Sequence, residues 1–347
     1  MTLGSFANLG RSLRVGIVGT GFAAKARATA IAAESRAEVL AVTGHHPDKT
    51  HTFASTHEIP QVFDTWQTLV QQPELDGVFI CNINRDHSAV AKAALEAGKF
   101  VVVEYPLALS DLEALALIDL AKQRQQFIHI EHIELLGGLH QAMLAHLPQI
   151  GIPRYVRYCT AVPQRPTPQK WTYNTEQFGF PLTGALSRIN RLTNLFGAVA
   201  SVTCQIQSAP ATSDDSGYYR QLRCLAQFQF HSGVMAELLY AKGEATWRSQ
   251  RWMEVEGDQG AIVFDGDQGM LLTDEQETTI ELGKRRGLFA RDTAAVLDAL
   301  IDGTPLYVTP QESLYALQVA AAAETAAQNG TPVQVTAPYP GATLTPG

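Results

Sequence analysis

The sequence predicts an α/β protein of two domains, a doubly wound parallel sheet followed by an α+β domain built on a large, mostly antiparallel sheet. Three observations carry this. Short apolar strands alternate with helical patterns as far as about residue 133. The first strand runs directly into a glycine turn and an alanine-rich helix. After Ile150 the texture changes to longer alternating strands joined by Gly/Asp turns. The boundaries expected are 12–133 for the nucleotide-binding unit and 134–347 for the second domain, and 347 residues suit two domains.

Residues 1–11 read as a loose arm, small and polar, with no apolar run of the kind that opens a signal peptide. Leu13 to Val18 is a short buried strand, followed by Gly19-Thr20-Gly21-Phe22-Ala23-Ala24 and a helix towards Ala33. A second strand, Glu38 to Thr43, comes about 20 residues beyond the glycines. In this context the glycines are a dinucleotide fingerprint. Gly19 makes the tight turn, Gly21 lets backbone approach a pyrophosphate, and the helix start at Phe22 and Ala23 offers amides to it. The second strand ends in Thr43-Gly44-His45-His46, with Lys49 soon after. No carboxylate stands at the strand tip to hold a ribose 2′-hydroxyl, and Thr43, His45, His46 and Lys49 could receive a 2′-phosphate. NADPH is therefore favoured over NADH.

The alternation continues through a helix from Asp64 to Gln72, a strand from Gly77 to Cys81 and a helix from His87 to Ala97. The strand Phe100 to Glu104 ends in Tyr105-Pro106, Ser110 caps the next helix, and Phe127 to Glu131 is a further strand. Ligands bind at the carboxyl ends of such strands. Asn82, Asn84, Glu104 and Tyr105, with His87 opening its helix, are expected at the cofactor, and Glu131 and Glu134 lie on the same rim.

In the second domain Tyr155 to Cys159, Ser201 to Gln207, Gln221 to Phe230, Val234 to Tyr240 and Trp252 to Val255 alternate as strands. A helix is expected over Phe180 to Phe196, and two more, Asp292 to Leu300 and Pro310 to Ala327, close the domain before a Pro/Gly-rich tail from Thr331.

Composition narrows the partners. A net charge of −8 argues against general nucleic-acid binding, and the absence of a long apolar run predicts no transmembrane helix. The four cysteines, Cys81, Cys159, Cys204 and Cys224, form no CxxC pair, as expected of a reducing cytoplasm. The histidines fall in no metal-binding spacing, so no metal is expected. The broad sheet is compatible with a monomer or with a homodimer formed through it.

Ala94-Leu95-Glu96-Ala97-Gly98-Lys99-Phe100-Val101, then Glu104-x-Pro106, and late in the chain Ala295-Val296-Leu297 and Gly303-Thr304-Pro305, resemble the glucose–fructose oxidoreductase / inositol dehydrogenase family over nearly the whole chain. Sugar-oxidising members of that family carry a lysine where Tyr105 stands, and Asp and His on the helix where this chain has Ser187-Arg188-Ile189-Asn190-Arg191. Alcohol oxidation needs a group that takes up a proton near neutral pH, which Tyr and Arg do poorly. Glu104-Tyr105-Pro106 with Glu131-His132-Ile133-Glu134-Leu135-Leu136, Trp171-Thr172-Tyr173, Phe178-Gly179-Phe180-Pro181-Leu182 and Leu186-Ser187-Arg188-Ile189 instead resemble the bilin-reducing branch, the biliverdin reductases of cyanobacterial type.

The resemblance implies NADPH-dependent reduction of biliverdin IXα at its C10 methine to bilirubin. It places Arg188 at the tetrapyrrole, where three roles are open: holding charge on a pyrrole, positioning a water, or binding a propionate. An ordinary salt bridge from that helix is the plain alternative. Arg191, one helical turn on, shares part of the face. Tyr105 could stack near the nicotinamide or hydrogen-bond a carboxamide, a pyrrole or water, with packing alone as the plain alternative, and Glu131 could fix the cofactor or orient a water. His129 and His132 are expected to be core or cofactor-edge residues. Another oxidoreductase of the fold acting on a sugar-like substrate, and a nucleotide-binding regulator without catalysis, are the competing readings.

Overall fold

The computed structural model describes residues 6, 7, 9–211, 217–283 and 286–338. The chain divides into two units, one comprising the N-terminal part to Leu136 together with Arg286–Leu314, the other Gly137–Arg285 with the chain from Tyr315.

In the first unit the strands are β1 (Leu13–Val18), β2 (Ala37–Thr43), β3 (Gln61–Phe63), β4 (Gly77–Ile80), β5 (Phe100–Glu104) and β6 (Ile128–Glu131). Between them lie α1 (Phe22–Ala32), α2 (Pro47–Thr56), α3 (Trp66–Val70), α4 (His87–Glu96) and α5 (Asp111–Gln123). The six strands are parallel, in the order β3-β2-β1-β4-β5-β6. The order reverses between β1 and β4, and in open α/β sheets ligands bind outside that crevice. Sequence patterning located β1, β4 and β5 closely because all are nearly continuous apolar runs. It passed over α2 and β3, whose residues are mixed and half-exposed.

Phe100 is the hub of this core. Its ring makes edge-to-face contacts with Phe6, Phe79 and Phe127 at 5.8, 6.5 and 6.5 Å. A Cβ at Gly77, its partner on β4, would lie 2.3 Å from that ring, so the strand needs glycine there. Phe6 belongs to the stretch expected to be a loose arm. It is buried instead, and its amide donates to the Leu300 carbonyl at 3.1 Å. A single aromatic side chain with a core socket is enough to hold that residue against the core.

In the second unit a nine-stranded sheet has the order β14-β13-β12-β11-β7-β10-β9-β8-β15. Its strands are β7 (Pro153–Pro163), β8 (Val199–Pro210), β9 (Tyr219–Phe230), β10 (Met235–Gly243), β11 (Gln250–Gly257), β12 (Gly260–Asp265), β13 (Gln268–Thr273), β14 (Glu277–Ile280) and β15 (Val333–Gln334). All neighbours are antiparallel except β7 and β10. The tail contributes β15, because Val333 pairs with Val202 on the free edge of β8. The helices that precede β8 in this unit are α6 (Gly138–His146), α7 (Thr175–Phe178), α8 (Pro181–Gly184) and α9 (Ser187–Phe196). The single helix expected over Phe180 to Phe196 is thus two, interrupted at Ala185 and Leu186. Two long helices follow, α10 (Leu288–Ile301) in the first unit and α11 (Pro310–Asn329), whose larger part lies in the second.

Candidate functional site

The glycine turn after β1 is built for close approach. Gly19 has φ +119°, and a Cβ there would sit 2.5 Å from the Cys81 carbonyl oxygen. Its amide donates to the Thr43 carbonyl at 2.8 Å, tying the turn to β2. Around Gly21, by contrast, a Cβ would meet nothing within 4 Å. Helix α1 begins there with no side-chain cap and no acid in its first turn. Its N-terminal amides and the positive end of its dipole therefore face open space, beside exposed Phe22 and half-buried Thr20 and Ala23 in the same turn. This arrangement fits a pyrophosphate. At the tip of β2 Thr43 is buried, so its side chain is less available than expected, whereas His45, His46 and Lys49 are exposed. His45 Nε2 lies 3.6 Å from an Asp86 carboxylate oxygen. The residues present thus suit a phosphorylated dinucleotide.

The rim beyond β4 and β5 is held by His87. Its ring is buried, and Nδ1 donates to the Pro106 carbonyl at 2.7 Å, while Nε2 lies 3.3 Å from the Asn82 carbonyl. Burial lowers its pKa, and the ring works as a strut between two loops rather than as a titrating group. Asn84 is buried beside it, and Asn82 Oδ1 is a buried acceptor with no hydrogen-bond partner among the described residues.

Beneath Tyr105 lies a polar network that motif reading does not single out. Arg27 of α1 is 0% exposed and is paired with Glu104 at 3.0 Å and with Asp292 of α10. Asp292 also accepts from His129 Nε2 at 2.8 Å and from the Tyr307 hydroxyl at 2.5 Å. Burial alone would raise the Asp292 pKa, but Arg27, His129 and Tyr307 outweigh it and hold the carboxyl well below the usual range. The Tyr307 oxygen accepts from the His132 amide at 3.2 Å, and His132 Nε2 contacts Ser313 Oγ at 2.9 Å. The His132 ring stacks on Tyr105, with centroids 5.3 Å apart. Burial, then His129, lowers His132 to about 3, so the ring stays neutral. The chain Arg27–Asp292–Tyr307–His132 thus fixes the phenol at the end of β5. Its sequence signal is an arginine on the apolar face of an alanine helix, three residues from Ala24 and four from Ile31.

Two expected carboxylates have structural partners. Glu104 serves Arg27. Glu131 is buried and accepts from the Ile133 amide at 2.5 Å. Burial, then Glu104 and Glu134, pushes its carboxyl well above the usual range, which favours a neutral acid hydrogen-bonded to Glu104. Glu134 Oε1 accepts from the Tyr105 hydroxyl at 3.4 Å.

In the second unit, Arg188 lies on α9 against the inner face of the sheet. Its guanidinium carbon is 5.0 Å from the Tyr240 ring centroid, and Nε donates to Thr160 Oγ1 at 3.2 Å. Arg191 is buried, with Nη1 donating to the Tyr158 hydroxyl at 2.5 Å and its guanidinium over that ring at 5.6 Å. Of the pair, Arg188 is the more exposed. Among the described residues no cluster of His, Cys, Asp or Glu could hold a metal ion.

Residues 13–132 match the GFO/IDH/MocA oxidoreductase model for an NAD-binding Rossmann fold, and residues 148–335 match its C-terminal α/β domain. The chain belongs to this oxidoreductase family. Within the family it is similar to the crystal structure of biliverdin reductase in complex with biliverdin and NADP+ from Synechocystis sp. PCC 6803. The two share 45% identity over 91% of this chain and 99% of that one, with a TM-score of 0.88. It is also 31% identical to biliverdin reductase A of Mus musculus over 139 residues, 40% of this chain and 44% of the mouse protein. The chain thus matches less than half the length of that curated relative. A putative myo-inositol dehydrogenase from Sinorhizobium meliloti, at 20% identity and a TM-score of 0.73, shares the fold.

Proposed function

We propose that this chain is an NADPH-dependent biliverdin reductase that converts biliverdin IXα to bilirubin. The observation that carries the reading is the likeness, at 45% identity and over 99% of its length, to an enzyme that holds biliverdin and NADP+. The side chains agree with it. Where sugar-oxidising relatives need a proton acceptor, this chain has Tyr105 stacked on a neutral histidine and Arg188 resting on a tyrosine. Neither is a base near neutral pH.

The reaction adds a hydride to C10 and a proton to a pyrrole nitrogen. When bound, the reduced nicotinamide supplies the hydride. Gly19, Gly21 and the amides of α1 hold the pyrophosphate, and His45, His46 and Lys49 receive the 2′-phosphate. Tyr105 presents a rigid ring at the rim, fixed from below by His132. Arg188 keeps its own proton, given a reference pKa above about 12. It acts by hydrogen-bonding the electron density that grows on the pyrrole as hydride arrives, and the proton comes from water held beside it. Arg191, buried on Tyr158, anchors the helix that carries Arg188.

Incubating the purified protein with biliverdin and NADPH should produce the bilirubin absorbance band. Absence of turnover from about pH 5 to 8, with oxidation of a polyol by NADP+ in its place, would return the chain to sugar chemistry.

A further inference from the structure

Lys242 stands on β10, two residues beyond Tyr240, on the same face of the sheet. It is 5% exposed. Its ammonium nitrogen lies 4.4 Å from the Phe178 ring centroid, 4.5 Å from Tyr173, 5.4 Å from Tyr219 and 5.5 Å from Tyr240. It donates to the Thr172 carbonyl, which also accepts from the Tyr219 hydroxyl at 2.9 Å. Among the described residues no carboxylate pairs with it. Four aromatic faces and one carbonyl thus replace water around a buried cation.

Such a cation is expensive to bury. A packing role alone would be met by methionine or leucine at no desolvation cost. What distinguishes lysine is its charge, and the charge lies one ring away from Arg188, since the guanidinium and the ammonium share Tyr240. Resting on the assignment of Arg188 to the substrate, we propose that Lys242 is an affinity residue for the anionic tetrapyrrole. Its caged ammonium, which shares the Tyr240 ring with Arg188, adds positive potential where that anion is received.

The groups that face the ammonium are Arg188 from α9, Tyr240 from its own strand, Tyr219 from β9 and Tyr173 from the turn before α7. Glu244, two residues on, turns to Thr167. Burial, and then Arg188, lowers Lys242 to about 7. The ammonium is therefore present below that pH and is lost above it, and a bound anion favours its retention. Substrate affinity should weaken as pH rises past 7, while chemistry at the reacting carbon changes little.

The test is the pH dependence of KM and kcat for biliverdin, with saturating NADPH, in wild type, Lys242→Met and Lys242→Arg. In wild type KM should rise roughly fivefold from about pH 6 to 8.5. Lys242→Met should show the high KM at every pH with kcat within about twofold. Lys242→Arg, charged throughout, should keep the low KM across the range. A purely structural lysine would lower the melting temperature of Lys242→Met and leave its KM profile parallel to wild type, which overturns the proposal. If Lys242→Met does not fold, Lys242→Arg decides alone: a flat profile supports the proposal and a wild-type rise overturns it. A wild type that neither binds nor reduces biliverdin removes the functional assignment and this inference together. Normal turnover with unshifted Lys242 profiles removes only the inference.

Discussion

The Tyr105 ring stacks on the imidazole of His132, with centroids 5.3 Å apart and planes 5° from parallel. The stack is fixed by ring faces, and the phenol hydroxyl donates a long hydrogen bond to Glu134 at 3.4 Å. Tyr105→Phe should therefore lower kcat by less than about threefold, since the hydrogen bond to Glu134 is long and weak. Tyr105→Ala, which also deletes the stack, should cost more than about tenfold. Equal large losses in both variants would make the hydroxyl, not the ring, the working part.

Arg188 is predicted to act on charge that develops during the reaction. Arg188→Ala should reduce kcat by about a hundredfold or more while leaving NADPH affinity within about twofold. Arg188→Lys should recover only part of the loss, because an ammonium cannot offer the planar fork that rests on Tyr240. Stopped-flow and NADPH fluorescence titration separate the two quantities. Unchanged turnover in Arg188→Ala would remove it from the site.

The network under Tyr105 is a matter of stability. Arg27→Met leaves Asp292 and Glu104 without their buried cation and should cost about 3–5 kcal/mol in urea unfolding. A cost below about 1 kcal/mol would mean that the network is not held by that charge.

Neutral His132 adds a pH signature. Folded His132 takes a proton only near pH 3, whereas the unfolded residue does so from about 6.5. Its contribution is complete above about 6.5 and is lost as pH falls towards 3, at up to about 1.4 kcal/mol per pH unit. Glu131, raised when folded, works oppositely, since its contribution is present at low pH and is lost as pH rises. The difference between wild type and His132→Gln isolates the histidine. That difference should shrink steadily as pH falls from 6.5 to 5, and a pH-independent difference would contradict a neutral buried ring.

Much of this was legible in the chain. The dinucleotide turn could be read because Gly19 and Gly21 follow an apolar strand and precede a helix. Arg188 stands out as a candidate in the chain because it takes the place of the acid–base residues of sugar-oxidising relatives. Arg27, Asp292 and Tyr307 were not legible, because Arg27 meets Asp292 across 265 residues and no local pattern announces an ion pair between α1 and α10. Lys242 was half-visible. It breaks the inward-facing run of Ala236, Leu238 and Tyr240, but only the folded sheet brings three of its four rings from other elements. Phe6 and Val333 show the same limit at the chain's ends, where partner and socket are distant in sequence.

The central claim is that hydride passes from NADPH to C10 of biliverdin. NADPH carrying deuterium at both C4 positions, incubated with the protein and biliverdin IXα, should give bilirubin with one deuterium at the C10 methylene by mass spectrometry and NMR. Bilirubin without deuterium there, or NADPH bound and biliverdin returned unreduced, would contradict it.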